Sequence, residues 1–359
     1  MDTSKFQNVH QVGGIRTALI DHPCPGGAPG AGGRIAMVNT GAGLRYTVAL
    51  DRGGDIVEAF HHQHSLAYLT VNDYKAGNPA YHRGDEWLTG WPGGLLTSCG
   101  PQYVGQPRNE DGTQTNLHGH HSNTPAAVEM ILNPDPHQDR HEMLLSMIIR
   151  DSRMYAPMVE VRRQIQGKLG INEIHLYDQV TNRGDEPVPH NWLYHVNFGY
   201  PLLDVGTQLV FKGKLDTQWD MRTPINAGDV ETIKATHAAQ PAPASKESFG
   251  VIVEPEPDSE GLCHVGIVNR QLSLGVEMEF SPECLPRMAN WQWYGPRGCF
   301  VSALEPFAGS LMGKAKDASP LANLTLAPGE TRRYRMTLKV HSDAAALDAL
   351  MKYDGALRM

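Results

Sequence analysis

The chain has 359 residues, 40% of them hydrophobic and 19% charged, with 37 glycines and 25 prolines, the balance of a turn-rich globular protein and not of a disordered or fibrous one. Its net charge of −8 is spread along the sequence without a basic face, which excludes nucleic acid as an expected partner. Length alone allows one large core or two domains of about 150 residues.

The N-terminus, MDTSKFQNVHQVGGIRTALI, has no basic segment leading into an apolar one and a small-residue cleavage site, and no apolar run approaches the roughly 20 residues that cross a bilayer. Five cysteines (Cys24, Cys99, Cys263, Cys284, Cys299) are odd in number and never spaced Cys-x-x-Cys, the pattern of free thiols in a reducing compartment. A cytoplasmic protein with no membrane partner is expected.

From Ile15 to Leu69 the segments IRTALIDH, GRIAMVNT, LRYTVALDRG, DIVEAFHH and SLAYLT are short, partly alternating and separated by glycine turns, which is strand spacing. The loop from Pro23 to Gly33 has no apolar anchor and no flanking Lys or helix pattern that would make it a phosphate cradle. Asp51-Arg52-Gly53-Gly54-Asp55 reads as a tight hairpin with a local charge pair, and His61, His62 and His64 as a solvated turn.

The stretch from Glu86 to Ala127 differs. It concentrates Trp87, Trp91, a Gly-Gly pair and the run His118-Gly119-His120-His121 with no helical period, the composition of a cleft wall more than of a core. Beyond it AAVEMIL, HEMLLSMIIRDS, VEVRRQIQGKLG and INEIHLYDQVTNRG predict long antiparallel strands. In His190–Pro201 a strand would direct Trp192, Tyr194 and Val196 to one face and Leu193, His195 and Asn197 to the other. HAAQPAPASKES, from His237 to Ser248, reads as a surface insertion, because strand patterns resume on both sides of it.

VIVEPEP, LCHVGIVN, LSLGVEMEFS, RMANWQWYG, CFVSALEPF and LTLAPGETRRYRMTLKV continue the series. Only the end looks helical, over 342–354, with Ser342 as N-cap and Ala346, Leu347, Leu350 and Met351 at helical spacing. More than fifteen predicted strands, one helix and no βαβ alternation imply an all-β fold, a large β-sandwich of antiparallel sheets in a single domain over 1–359.

Three polar residues stand in apolar or aromatic strand settings: His118, His195 and Glu305, the last at the end of a run of apolar residues beside Pro306. A carboxylate so placed must be desolvated or aimed into a cleft, where a raised pKa suits a general base and a nearby histidine suits the acid. A lone strand histidine is ordinarily a hydrogen-bonded core or surface residue, so the weight rests on the trio. Trp87, Trp91, Trp291 and Trp293 fit a core equally well as a platform for sugar C–H groups.

The ordered series LDRGGDI, EWLTGWPGGLLTSCG, VGQPRNEDG, LHG, SNTPA, LYHVNFGYPLLDVG and NWQWYGPRGCFVSALEP resembles the DUF4432 branch of the aldose 1-epimerase (galactose mutarotase-like) superfamily over about residues 10 to 340. The resemblance implies a β-supersandwich, a small-molecule sugar as partner and aldose mutarotation or related chemistry, with no cofactor and no metal. It maps the family's His-Gly, strand His before Asn, and late Glu onto His118-Gly119, His195 with Asn197, and Glu305. Glu305 would then take the proton of the anomeric hydroxyl, His195 protonate the ring oxygen and His118 hydrogen-bond the sugar, while Arg52, Asp55, Trp87, Trp91, His120, Asn123, Asn197 and Trp291 are the candidate sugar contacts.

Two departures from the branch remove positive charge: His120 follows Gly119 where a basic residue is usual, and Gln292 stands where a Lys commonly follows. A different sugar substituent is therefore expected. The extra histidines also admit a metal reading through His118, His120 and a distant His195 or Glu305. The same acid–base pair would serve a keto-sugar epimerase, isomerase or lyase, and a non-catalytic sugar-binding module is the third reading. The oligomeric state is not readable from the sequence.

Overall fold

The computed structural model describes residues 2–21, 33–78, 80–81, 83–220, 233–234, 236, 238, 248–295, 298 and 300–358, without the side chains of 217–220. Nearly all of the loop 23–33, most of the insertion 237–248, Cys24 and Cys299 lie outside the described residues.

Two large antiparallel sheets dominate. The first orders its strands in space as Gly14–Ile20, Gly33–Asn39, Leu44–Ala49, Asp55–His61, Leu96–Cys99, Trp192–Gly199, Phe300–Ala308, Arg287–Tyr294, Phe249–Pro255 and Gly213–Asp220, ending on Leu357–Arg358, the only parallel pairing in the path. The second runs Gln208–Val210, Cys263–Asn269, Leu274–Phe280, Thr331–His341, Glu173–Asn182, Met158–Lys168, Glu142–Ser152 and Ala126–Leu132. One apolar cluster joins Val48, Ile56, Tyr194 and Val196 of the first sheet to Leu145, Val161, Val180, Met278 and Leu338 of the second, so the sheets pack face to face. This is the expected all-β sandwich.

The segment SLAYLT is the exception among the predicted strands: it contributes Ser65 to a short pairing and Ala67 and Leu69 to isolated bridges with Phe198 and Gly93. The C-terminal helix forms at Ala344–Met351, and its cap is Asp343 in place of the expected Ser342, with the Asp343 carboxylate accepting from Ala346 N–H at 2.9 Å. It lays Leu347 and Leu350 on Val210 and Val268. A four-residue helical turn, Trp87–Gly90, has no counterpart in the sequence pattern. Among the described residues no helix is long and apolar enough to cross a membrane.

Strand alternation sets which side chains leave the core. Along Trp192–Gly199 the side chains of Trp192, Tyr194, Val196 and Phe198 enter the inter-sheet core, leaving Leu193, His195 and Asn197 on the other face. Along Phe300–Ala308 the core takes Leu304 and Ala308, while Val301, Glu305 and Phe307 face away. The register Leu193↔Phe307 and Val196↔Leu304 brackets His195 and Glu305 as cross-strand neighbours on that outer face, and Glu305 lies opposite Ala289 on its other side.

Candidate functional site

The outer face of these central strands carries a cavity of about 220 Å³. Trp87, Trp91 and Trp291 wall it with Leu88, Leu117 and Leu311, and His118, His195, Glu305 and Gln106 reach it. It lies below the range of about 300–1,000 Å³ that holds drug-sized ligands, which suits one small molecule.

His195 Nε2 stands 3.3 Å from Glu305 Oε1. Both side chains are buried, and an apolar cluster of Cys99, Leu193, Ala289, Phe307 and Leu311 adjoins them, with Leu193, Ala289 and Phe307 at neighbouring positions of the same sheet face. Desolvation of its charged form pushes the Glu305 carboxyl up to about 8. Burial, aided by the neighbouring His118, drives His195 well below the usual imidazole range, against a weaker opposing pull from Asn197. At neutral pH the pair therefore carries its proton on Glu305 beside a neutral imidazole. The raised carboxyl agrees with the expectation drawn from the sequence, while a protonated Glu305 beside a neutral His195 exchanges the base and acid roles that expectation gave them.

His118 arrives from a different element. It takes a left-handed backbone conformation (φ 58°), followed by Gly119 (φ 76°), where a Cβ would fall 2.4 Å from Gly100 O and 2.6 Å from Tyr103 O. Hence the His-Gly pair: the glycine lets the chain press against 100–103 and swings the His118 ring over the cavity. That contact is pinned by Gly100 N–H to His118 O (3.0 Å) and His118 N–H to Gly105 O (3.1 Å). The Gly105 N–H also points at His118 Nδ1 at 3.4 Å, and a backbone amide can only donate, so the neutral ring carries its proton on Nε2. Burial lowers His118 to about 4, keeping it neutral. Its ring sits edge-on to His195 at 5.4 Å and 5.0 Å from Trp87.

Trp87 and Trp91 offer faces and not donors. Trp87 Nε1–H is spent on Ser122 Oγ (2.7 Å) and Trp91 Nε1–H on Thr97 Oγ1 (3.0 Å), while the two rings stack at 5.2 Å. Trp91 and Trp291 each lie 5.8 Å from the His195 ring.

Of the expected residues, the structure thus brings together His118, His195, Glu305, Trp87, Trp91 and Trp291. It does not bring Arg52, Asp55, His120, Asn123 or Asn197 to this cavity. Arg52 and Asp55 do not form the local charge pair expected of the turn, because Asp51 binds Arg34 and Asp55 meets Arg163, at 3.4 Å, from the opposite sheet. Burial raises Asp55 to about 6, with Arg163 opposing. Arg163 is itself held by Asp178 in a two-pronged pair (2.9 and 2.7 Å), which Tyr194 joins through its hydroxyl. Asp55 thereby ties the two sheets together.

His120 and Asn123 line a separate cleft against the strand end Arg150–Ser152, where His120 Nδ1 lies 3.4 Å from Asp151. His118 and His120 consequently do not converge as metal ligands. The described His and carboxylate groups whose ligand atoms do cluster are His264, Glu277 and Glu279, on the outer face of the second sheet, where Glu277 is hydrogen-bonded to His264 and His341 and Glu279 accepts from Lys339. Asn197 is wholly buried, its amide nitrogen spent on Gly94 O and His195 O.

Gln292 requires a correction. Register puts it on the core side of its strand, wholly buried, donating to Ile233 O and Asn290 Oδ1 at 2.6 Å each. The missing Lys therefore takes no charge from the cavity. Sequence reasoning missed Leu88, Gln106, Leu117 and Leu311: the first three lie in the Glu86–Ala127 stretch that composition singles out, and Leu311 follows a strand in a segment with no periodicity to mark it.

A family model described as a domain of unknown function, DUF4432, matches residues 30–340. The chain belongs to the DUF4432 family. No curated protein matches it. Among solved structures, this DUF4432 protein is similar to a candidate aldose 1-epimerase of Klebsiella pneumoniae, with TM-score 0.80 and 20% identity over 94% of this chain and 86% of that one. It is similar also to a galactose mutarotase-like protein of Clostridium acetobutylicum, with TM-score 0.61 and 12% identity over 91% and 98% of the two chains. A galactose 1-epimerase of Lactobacillus acidophilus gives TM-score 0.56 and 11% identity over 92% and 99%. At these identities the likeness establishes the galactose mutarotase-like fold of the DUF4432 chain.

Proposed function

We propose that this protein is a carbohydrate-active isomerase of the aldose 1-epimerase type, interconverting the anomers of a free monosaccharide by acid–base catalysis. One observation carries the reading: a buried carboxyl and a neutral imidazole, 3.3 Å apart, in a small tryptophan-walled cavity.

Mutarotation requires a proton to leave the C1 hydroxyl and another to reach the ring oxygen. In the resting protonation state neutral His195 takes the hydroxyl proton and the Glu305 carboxyl gives its own to the ring oxygen. The C1–O5 bond breaks, C1 becomes a carbonyl, and rotation about C1–C2 presents its other face. Closure runs the transfers backwards: Glu305 recovers the proton from the C5 hydroxyl and His195 returns its proton to the new anomeric oxygen. Nothing is oxidised or consumed. His118 Nε2–H donates to a ring substituent, and the indole faces of Trp91 and Trp291 receive the sugar's C–H groups.

The test is NMR saturation exchange between α and β anomeric signals for a panel of neutral, deoxy, acidic and keto sugars, with wild type beside Glu305→Gln. Faster exchange with the wild type alone supports the proposal. Conversion of any sugar to a new product would replace it by the keto-sugar isomerase or lyase reading, and binding without exchange by a sugar-binding module.

A further inference from the structure

Two buried atoms beside the cavity have no hydrogen-bond partner among the described residues: His195 Nδ1 and Asn197 Oδ1. They belong to side chains two residues apart on one face of the Trp192–Gly199 strand, so they are neighbours, and one is a donor when protonated and the other only an acceptor. The amide cannot turn over to offer its nitrogen. Asn197 Nδ2 already donates to two carbonyls, Gly94 O at 3.1 Å and His195 O at 2.9 Å, and an oxygen in that position would face both. Each orphan left unsatisfied costs about 1–3 kcal/mol, which a hydrogen bond between the two removes if Nδ1 bears the hydrogen.

We propose that Asn197 is a positioning residue that fixes His195 in the Nδ1–H tautomer, leaving the bare Nε2 lone pair directed at Glu305. A neutral imidazole has one ring proton, so accepting at Oδ1 decides where the basic nitrogen lies. The result is a directed chain: Glu305 O–H to His195 Nε2, His195 Nδ1–H to Asn197 Oδ1, and Asn197 Nδ2–H to Gly94 O. Because the amide is uncharged, it orients the ring without drawing a permanent positive charge onto it, as a carboxylate in its place would. The base of the mutarotation is then preformed, and this consequence for turnover rests on the reading under Proposed function.

The tautomer can be read without any activity. In protein labelled with ¹⁵N-histidine, long-range ¹H–¹⁵N correlations near pH 7, assigned by the signals lost in His195→Asn, distinguish a protonated ring nitrogen from a bare one. The expected result is a protonated Nδ1 and a bare Nε2 for His195. A protonated Nε2 in the wild type overturns the inference. Asn197→Ala should move His195 toward the Nε2–H tautomer and lower kcat about tenfold or more with KM little changed, because the base then presents the wrong nitrogen. An unaltered tautomer in folded Asn197→Ala would likewise overturn the assignment. A protein that shows the expected tautomer but exchanges no sugar refutes the mutarotase reading and leaves the role of Asn197 intact.

Discussion

Glu305→Gln should stabilise the protein, and increasingly so as pH rises. The carboxyl ionises near 8 in the fold against an ordinary value of 4.5, with burial as the cause. Between those values the unfolded chain has released the proton and the folded chain still holds it. Unfolding therefore releases a proton, and stability falls as pH rises through that window. The carboxyl costs about 1 kcal/mol of stability at pH 5, about 3 kcal/mol at pH 7 and about 5 kcal/mol at pH 9. Glutamine carries no such proton and keeps a donor toward His195 Nε2. The advantage of the variant should grow by about 2 kcal/mol from pH 5 to pH 7 and by about 4 kcal/mol to pH 9. At about 2.1 cal/mol/K of unfolding entropy per residue, the gain in Tm rises by about 3 °C and about 5 °C over those intervals. His195, lowered in the fold, costs stability on the acid side in both proteins and cancels from the comparison. Differential scanning calorimetry at the three pH values is the assay. A variant advantage that is flat or shrinking with pH would refute a neutral buried Glu305, and with it the assignment of the resting proton.

The same proton shapes turnover. kcat/KM for anomer exchange should hold from well below pH 6.5 up to about pH 8 and then fall tenfold per pH unit as Glu305 loses its proton, readable in a pH series of the NMR exchange rate. Gly119→Ala should lower stability by about 2–4 kcal/mol and displace His118, since a Cβ there meets Gly100 O and Tyr103 O inside contact distance in a left-handed conformation; urea unfolding measures it. Asp178→Asn should cost about 3–5 kcal/mol by leaving the wholly buried Arg163 short of its closest carboxylate, and an effect under 1 kcal/mol in urea would mean Asp55 alone suffices to compensate it.

Strand alternation makes the central strands legible from sequence. Because side chains alternate strictly, the pattern of Trp192–Gly199 decides which of its residues share a face, and His195 lies on the side away from Trp192, Tyr194 and Val196 as expected. The same rule applied to Gln292 puts it with Asn290 and Tyr294 on the core side, away from Trp291 and Trp293; motif position, taken in place of parity, misplaces the residue. Arg52, Asp55, His120 and Asn123 are misassigned for another reason. They sit in or beside turns, where no periodicity says which way a side chain points, and the partners that decide their roles, Arg163 and Asp151, come from distant strands. The protonation state is illegible as well, because the apolar cluster of Leu193, Ala289, Phe307 and Leu311 beside Glu305 draws on separate strands and a following loop.

The two faces of the central sheet treat charge in opposite ways, and the contrast explains how an acid–base pair sits in so apolar a setting. Toward the core, Arg163 is kept ionised by Asp178 and Asp55, with Tyr194 and Ser98 taking up remaining hydrogen-bonding positions, so the Arg163 charge has its counter-charges. Toward the cavity, Glu305 has no cation among its described contacts, and the protein meets the desolvation cost by keeping the proton on the carboxyl. A carboxyl ionising near 8 beside a depressed imidazole is poor at holding charge and therefore good at passing a proton in either direction near neutral pH. Mutarotation asks for that symmetry, because each half of the reaction reverses the other's transfers. Adding a cation beside Glu305, for example by Ala289→Lys on the strand position opposite it, should ionise the carboxyl, bring the alkaline limb of the rate profile down from about pH 8 toward the ordinary carboxylate range and remove most activity at pH 7. A limb left at pH 8 in a variant shown by NMR to hold a charged lysine would mean that another group sets it.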